Sequence, residues 1–113
     1  MFVAVYWWRA KPGKEEQFRA AWRRGTELIT AKYGSYGSRL HQDLDGRFVG
    51  YAVWPDHATW QRAFDAKMVY DDPETRRLFV DAIAELPPDN APVFTMEITD
   101  DLLTDTLGGT HAT

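Results

Sequence analysis

Hydrophobic and polar residues do not alternate in the first run of this chain. Residues 2–8 read FVAVYWW, strand-length and rich in β-branched and aromatic side chains. Phe2, Ala4, Tyr6 and Trp8 fall on one face, Val3, Val5 and Trp7 on the other, and neither face is polar. Lys11-Pro12-Gly13 then signals a turn. Over residues 14–32 the spacing becomes helical: Phe18, Trp22, Gly25 and Ile29 form one stripe that Ala21 and Leu28 widen, with Glu15 and Glu16 at the partly positive N-terminus.

Two further runs, YGSRLHQD and RFVGYAVW, flank Leu44-Asp45-Gly46 and predict a hairpin, because glycine accepts the positive φ of a tight turn. Trp54-Pro55-Asp56 ends the second of them, and Asp56 suits the N-cap of a helix reaching about residue 67. A third helical stretch is expected over residues 74–86, after Pro73. Pro87-Pro88-Asp89-Asn90 reads as a loop and PVFTMEIT as a last strand.

The order β-α-β-β-α-(α)-β predicts an α+β chain with the ferredoxin-like split β-α-β fold: a four-stranded antiparallel sheet with helices on one face. One domain is expected over residues 1–101, followed by a tail, 102–113, that frays or wraps a partner. The run at residues 47–54 repeats the two-faced pattern, with Phe48 and Trp54 on one side and Val49, Tyr51 and Val53 on the other. Leaving the second face in water would forfeit about 1.5–3 kcal/mol for each large side chain. The chain supplies one cover, so the second is expected to be another copy of it, a homodimer through the open sheet face.

Composition narrows the functions. The 113 residues suit one core, and the net charge of −4, with no basic stripe, disfavours nucleic-acid binding. No stretch approaches the roughly 20 apolar residues of a membrane span, and the start lacks a signal-peptide pattern, so a cytoplasmic location is expected. With no cysteine, thiolate chemistry and Cys-based metal sites are excluded. His41, His57 and His111 lack ligand spacing, so no metal is expected. Nucleophile-elbow and phosphate-cradling glycine motifs are absent.

The succession of an aromatic-rich strand, KPGKEEQFRAAW, a glycine-punctuated hairpin and VWPDHATWQRAF resembles the antibiotic biosynthesis monooxygenase family of the dimeric α/β barrel superfamily, over about residues 2–100. The resemblance implies a homodimer with a pocket between sheet and helices in each subunit. It implies, without cofactor, a monooxygenase that oxidises a hydroquinone- or anthrone-like small aromatic molecule with O2. It equally leaves open a non-catalytic small-molecule-binding or assembly member, or an isomerase of that superfamily. Haem-degrading relatives carry an Asn on the first strand and a His on a later helix; here the single Asn is Asn90 and no His lies between Ala58 and Thr110, while quinol-oxidising relatives often show a His in the helix after the tryptophan, where QRAFDAK has none.

Such an oxygenase needs flat walls, a base and a donor for an oxyanion. Tyr6, Trp8, Tyr51, Trp54, Trp60 and Phe64 are the candidate walls, His41 the candidate base and Arg39 the nearest cation on its strand. Trp22 and Phe79 read as core, and Glu97 as an exposed residue or a partner for Arg39. Hairpin register decides where the base sits. A two-residue Asp45-Gly46 turn sets Asp43, His41 and Arg39 opposite Phe48, Gly50 and Ala52, whereas a three-residue loop bulged at Gly46 sets His41 opposite Val49, on the Tyr51 face.

Overall fold

The computed structural model describes residues 1–104; the part of the expected tail from residue 105 on lies outside the described residues. The chain runs β1 (Phe2–Ala10), α1 (Glu15–Tyr33), β2 (Gly37–Gln42), β3 (Phe48–Trp54), α2 (His57–Asp65), α3 (Pro73–Asp81), β4 (Ile83–Glu85) and β5 (Phe94–Glu97), with one 3-10 turn at Pro88–Asn90. The sheet is antiparallel and open, in the order β2-β3-β1-β4, with β5 also on β1. Five strands thus make a sheet four strands wide, because β4 and β5 share the outer edge of β1, at Arg9–Ala10 and at residues 2–5. Among the described residues no helix is long and apolar enough to cross a membrane.

Capping accounts for the helix limits. Gly34 closes α1 in the left-handed region and its N–H bonds the Thr30 carbonyl, a conformation that glycine adopts without Cβ strain. Asp56 and Asp72 begin α2 and α3 by accepting from the N–H groups of Thr59 and Thr75.

The third helix is shorter than the spacing predicts. It stops at Asp81, and residues 83–85 form β4 instead. Tertiary contacts override the local pattern: the Lys11 N–H bonds the Ala82 carbonyl at 2.8 Å, and the Arg9 Nε bonds Glu85 Oε1 at 3.0 Å. One turn earlier, Lys14 Nζ reaches Asp81 Oδ2 at 2.6 Å, and the Gln17 amide donates to the same oxygen and to the Leu78 carbonyl.

The hydrogen bonds from Lys14 and then Gln17 lower the Asp81 pKa from 3.8 to about 2. A depressed folded pKa gives stability that is present above the unfolded value and lost as pH falls through the folded one. The Tm of Asp81→Asn should therefore lie below wild type at neutral pH, with the gap closing as pH falls from about 4 toward 2; a gap independent of pH would exclude this ion pair as its source.

The hairpin takes the longer of its two turns. The Asp43 N–H bonds the Arg47 carbonyl, Gly46 adopts φ 86°, and Asp43 Oδ1 accepts from the N–H groups of Asp45 and Arg47. Leu44, Asp45 and Gly46 form the loop, and His41 pairs with Val49 and Arg39 with Tyr51.

On the helix-covered face, Phe2, Ala4, Tyr6 and Trp8 of β1 and Phe48 and Trp54 of β3 are buried. Phe18, fully buried, lies between Phe48 at 4.9 Å and Phe79 at 5.2 Å, ring centroid to centroid. On the other face Val3 is buried between its neighbours, Val5, Trp7, Val49, Tyr51 and Val53 are half-buried, and Phe94 is 64% exposed. The apolar face of β1 that carries Val3 and Val5 therefore continues onto β5 through Phe94 and Met96, and no element among the described residues covers it.

Candidate functional site

Between the helices and the covered face of the sheet lies a cavity of about 530 Å³, within the range of small-molecule sites. Its room comes from β3, where Gly50 and Ala52 alternate with outward-facing neighbours. A Cβ on Gly50 would stand 2.9 Å from Trp8 Cζ3, so the missing side chain is what lets the Trp8 ring lie flat across β3. Tyr6 stacks on Trp8 at 5.9 Å and 11°, and together they form an aromatic floor.

Three indole N–H groups have different fates there. Trp8 Nε1 donates to Asn90 Oδ1 at 3.1 Å, and Trp60 Nε1 donates to the Tyr6 hydroxyl at 2.9 Å. Trp54 is 1% exposed and its Nε1 has no acceptor. An unsatisfied buried donor costs about 1–3 kcal/mol, which an oxygen of a bound molecule would offset.

Tyr6 is the second unspent donor. Its oxygen accepts from Trp60, and its own proton has no acceptor among the described residues. Burial pushes its pKa up to about 12, against the opposing effect of the Trp60 bond, so it is a neutral phenol at any physiological pH. A raised folded pKa means stability that is complete below the unfolded value of 10.0 and lost as pH rises through about 12. Alkaline titration by tyrosinate absorbance should show one phenol ionising near 12 that Tyr6→Phe removes; unchanged titration in that variant would contradict the burial argument.

The cavity mouth carries Asp65, Lys67, Arg76 and Asp89. Two pairs of consecutive residues there, Lys67-Met68 and Asp89-Asn90, adopt positive φ without glycine. Such conformations cost about 1–2 kcal/mol per residue, less for Asp and Asn, and concentrate at ligand-binding sites.

Of the residues singled out from sequence, Tyr6, Trp8, Trp54 and Phe64 line this cavity. Trp60 stands behind them, bonded to Tyr6 and stacked on Phe64 at 5.1 Å. Tyr51, His41 and Arg39 are elsewhere: alternation along β3 puts Tyr51 on the opposite sheet face, and the three-residue loop sets His41 and Arg39 on that face with it. His41 Nδ1 lies 3.3 Å from the Val49 carbonyl, and His41 and Arg39 border a shallow groove beside the start of α1. The expected base and cation are therefore not brought to the cavity within this chain. Glu97 is exposed, 4.0 Å from the terminal amine of Met1.

Trp22 departs from its expected core position and forms a half-buried cavity wall. Phe79 packs on Phe18 and Trp8 and also reaches the cavity edge. Gly25, Tyr70 and Asn90 were missed. Only Gly25 left a signal, since a glycine inside a helix costs about 1 kcal/mol relative to alanine: a Cβ there would stand 3.0 Å from the Tyr70 hydroxyl.

Residues 1–71 match the family model described as antibiotic biosynthesis monooxygenase. Among solved structures the fold is similar to that of a candidate antibiotic biosynthesis monooxygenase from Bordetella bronchiseptica, at TM-score 0.64 and 20% identity, covering 86% of this chain and 95% of that one. It is similar to a protein from Mycobacterium tuberculosis at TM-score 0.61 and 10% identity, covering 90% and 98% of the two chains. A candidate antibiotic biosynthesis monooxygenase from Nitrosomonas europaea gives TM-score 0.56 at 25% identity, covering 75% and 88%. No curated protein matches the sequence.

Proposed function

The chain belongs to the antibiotic biosynthesis monooxygenase family, and we propose that it oxidises a planar hydroquinone- or anthrone-like aromatic with O2 in the cavity above Tyr6 and Trp8. The observation that carries this reading is the Tyr6 hydroxyl, whose proton has no acceptor among the described residues, in an aromatic-lined cavity whose wall also buries the unpaired Trp54 Nε1.

An anthrone-like ligand slides its rings between Tyr6, Trp8 and Trp22, and its ring oxygen takes the two donors. Ionisation to the enolate puts negative charge on that oxygen, where the donors strengthen as the charge grows. The Trp60 bond polarises the Tyr6 hydroxyl further in the same sense. Asp65 and Asp89 are the carboxylates at the mouth that would take the proton. O2 adds at the activated ring carbon; cleavage of the O–O bond leaves one oxygen as the new carbonyl and releases the other with the two hydrogens as water, so that CH2 + O2 gives C=O + H2O. Apolar walls keep bulk water from the anion.

O2 consumption by metal-stripped protein, measured against a panel of anthrones and naphthalene hydroquinones, tests the reading. Uptake of one O2 per substrate well above autoxidation is expected, and a flat trace across the panel would refute it. A second reading, a carrier of the same class of molecule, is favoured by one feature: neither described histidine lines the cavity. Ligand binding without O2 uptake would select it, and product formed without O2 would select an isomerase.

The open sheet face completes the proposal as a homodimer seam, with Trp7, Tyr51, Phe94 and Met96 against their copies and Arg39 and His41 on the same face. Phe94→Asp with Met96→Lys should halve the mass found by sedimentation equilibrium while leaving the far-ultraviolet circular dichroism intact. A wild type of monomer mass would contradict the seam.

A further inference from the structure

Tyr70 lies in the link between α2 and α3, residues 66–72, which crosses α1 and touches it through Val69, Tyr70 and Asp72. The Tyr33 hydroxyl donates to the Val69 carbonyl at 2.5 Å, and the Tyr70 hydroxyl sits in the notch left by Gly25. Tyr70 is half-buried, its pKa raised by burial and lowered in part by the Arg76 guanidinium nearby, one turn into α3. Gly25, Tyr70 and Arg76 all line the cavity.

Arg76 differs from its neighbours in having no acid. Arg24 pairs with Glu27 and Asp72, and Arg77 pairs with Glu74, whereas Arg76 joins none of the ion pairs among the described residues. Arg76 is exposed, and the neutral Tyr70 phenol nearby leaves its full charge and its donor fork available at the cavity wall. A guanidinium offers five N–H donors in a fixed plane, the geometry that takes a carboxylate in two parallel bonds.

We propose that Arg76 binds a carboxylate substituent of the aromatic ligand, that Tyr70 is the positioning residue for it, and that the chain therefore selects acidic aromatics over neutral ones of the same ring system. The inference rests on the reading of the cavity as an aromatic-ligand site and adds the chemical class of the side group. Lys67, at the same mouth and also outside the described ion pairs, offsets part of the Asp65 and Asp89 charge there without offering a planar fork.

The test uses two redox-inert probes of equal shape, anthraquinone-2-carboxylate and anthraquinone-2-carboxamide, titrated against tryptophan fluorescence. Wild type should bind the carboxylate about tenfold or more tightly than the carboxamide, since charge-assisted bidentate bonds are roughly twice as strong as neutral ones. Arg76→Gln should bring the two affinities to within about twofold of each other, chiefly by weakening the carboxylate, with a far-ultraviolet circular dichroism spectrum matching wild type to show that the variant is folded. Tyr70→Phe, which keeps the ring but releases Arg76, should reduce the ratio without affecting the carboxamide.

Equal affinities in wild type, or a preference that survives Arg76→Gln, would overturn the proposal while leaving the cavity reading intact. Failure of both probes to bind wild type would overturn the cavity reading and the proposal together.

Discussion

Gly50→Ala is expected to destabilise the fold by about 0.5–2 kcal/mol net, although a glycine inside a strand is ordinarily improved by alanine. The ordinary gain, about 0.5–1 kcal/mol, comes from reduced freedom in the unfolded chain. Against it stands the Trp8 ring, 2.9 and 3.1 Å from where the new Cβ would sit. That ring cannot give way easily: Tyr6 stacks on it, Phe18 and Phe79 hold it at 5.6 and 5.7 Å, and its Nε1 is tied to Asn90. Overpacking of this kind costs about 1–3 kcal/mol, so the unfavourable effect wins. Urea denaturation in a double-mutant cycle with Trp8→Leu checks the cause: Trp8→Leu is itself destabilising, but Gly50→Ala should cost less in that background than in wild type. Ligand affinity should fall in Gly50→Ala as well, since a displaced Trp8 enters the cavity.

Tyr6→Phe and Trp54→Phe should each lower turnover about 10- to 100-fold, the value of a hydrogen bond to a developing oxyanion at about 1.5–3 kcal/mol. Their effects on stability should differ. Tyr6→Phe leaves Trp60 Nε1 without its acceptor and should cost about 1–3 kcal/mol. Trp54→Phe removes a donor that already lacks a partner, so the relief offsets part of the lost packing and the net change should stay within about 1 kcal/mol. Equal stability losses in the two variants, measured by thermal unfolding beside turnover, would show that Trp54 Nε1 carries no special role.

Much of the scaffold was legible from the periodicity of the chain. FVAVYWW reads as a strand with two apolar faces, and β1 has one face under the helices and the other, part-buried by its own neighbours, without a covering element among the described residues. The strand β4 was not legible, because residues 83–85 continue the helical spacing of 74–81 and only pairing with Arg9 and Ala10 reassigns them. The hairpin register was undecided for a related reason: Asp45-Gly46 suits either turn, and the choice falls to the Asp43 carboxylate capping two N–H groups across the loop. That one carboxylate sends His41 and Arg39 away from the cavity. The aromatic floor could be read from residue type on β1, whereas Gly25, Tyr70 and Arg76 meet only because the link after α2 crosses α1.

The most direct test of the central claim, that chemistry occurs above Tyr6 and Trp8 rather than on the His41 face, is steady-state O2 uptake by wild type, Tyr6→Phe and His41→Ala with one active anthrone. The account predicts a 10- to 100-fold fall in Tyr6→Phe, by the same hydrogen-bond argument, with His41→Ala near wild type. Loss of uptake in His41→Ala with Tyr6→Phe unaffected would contradict it.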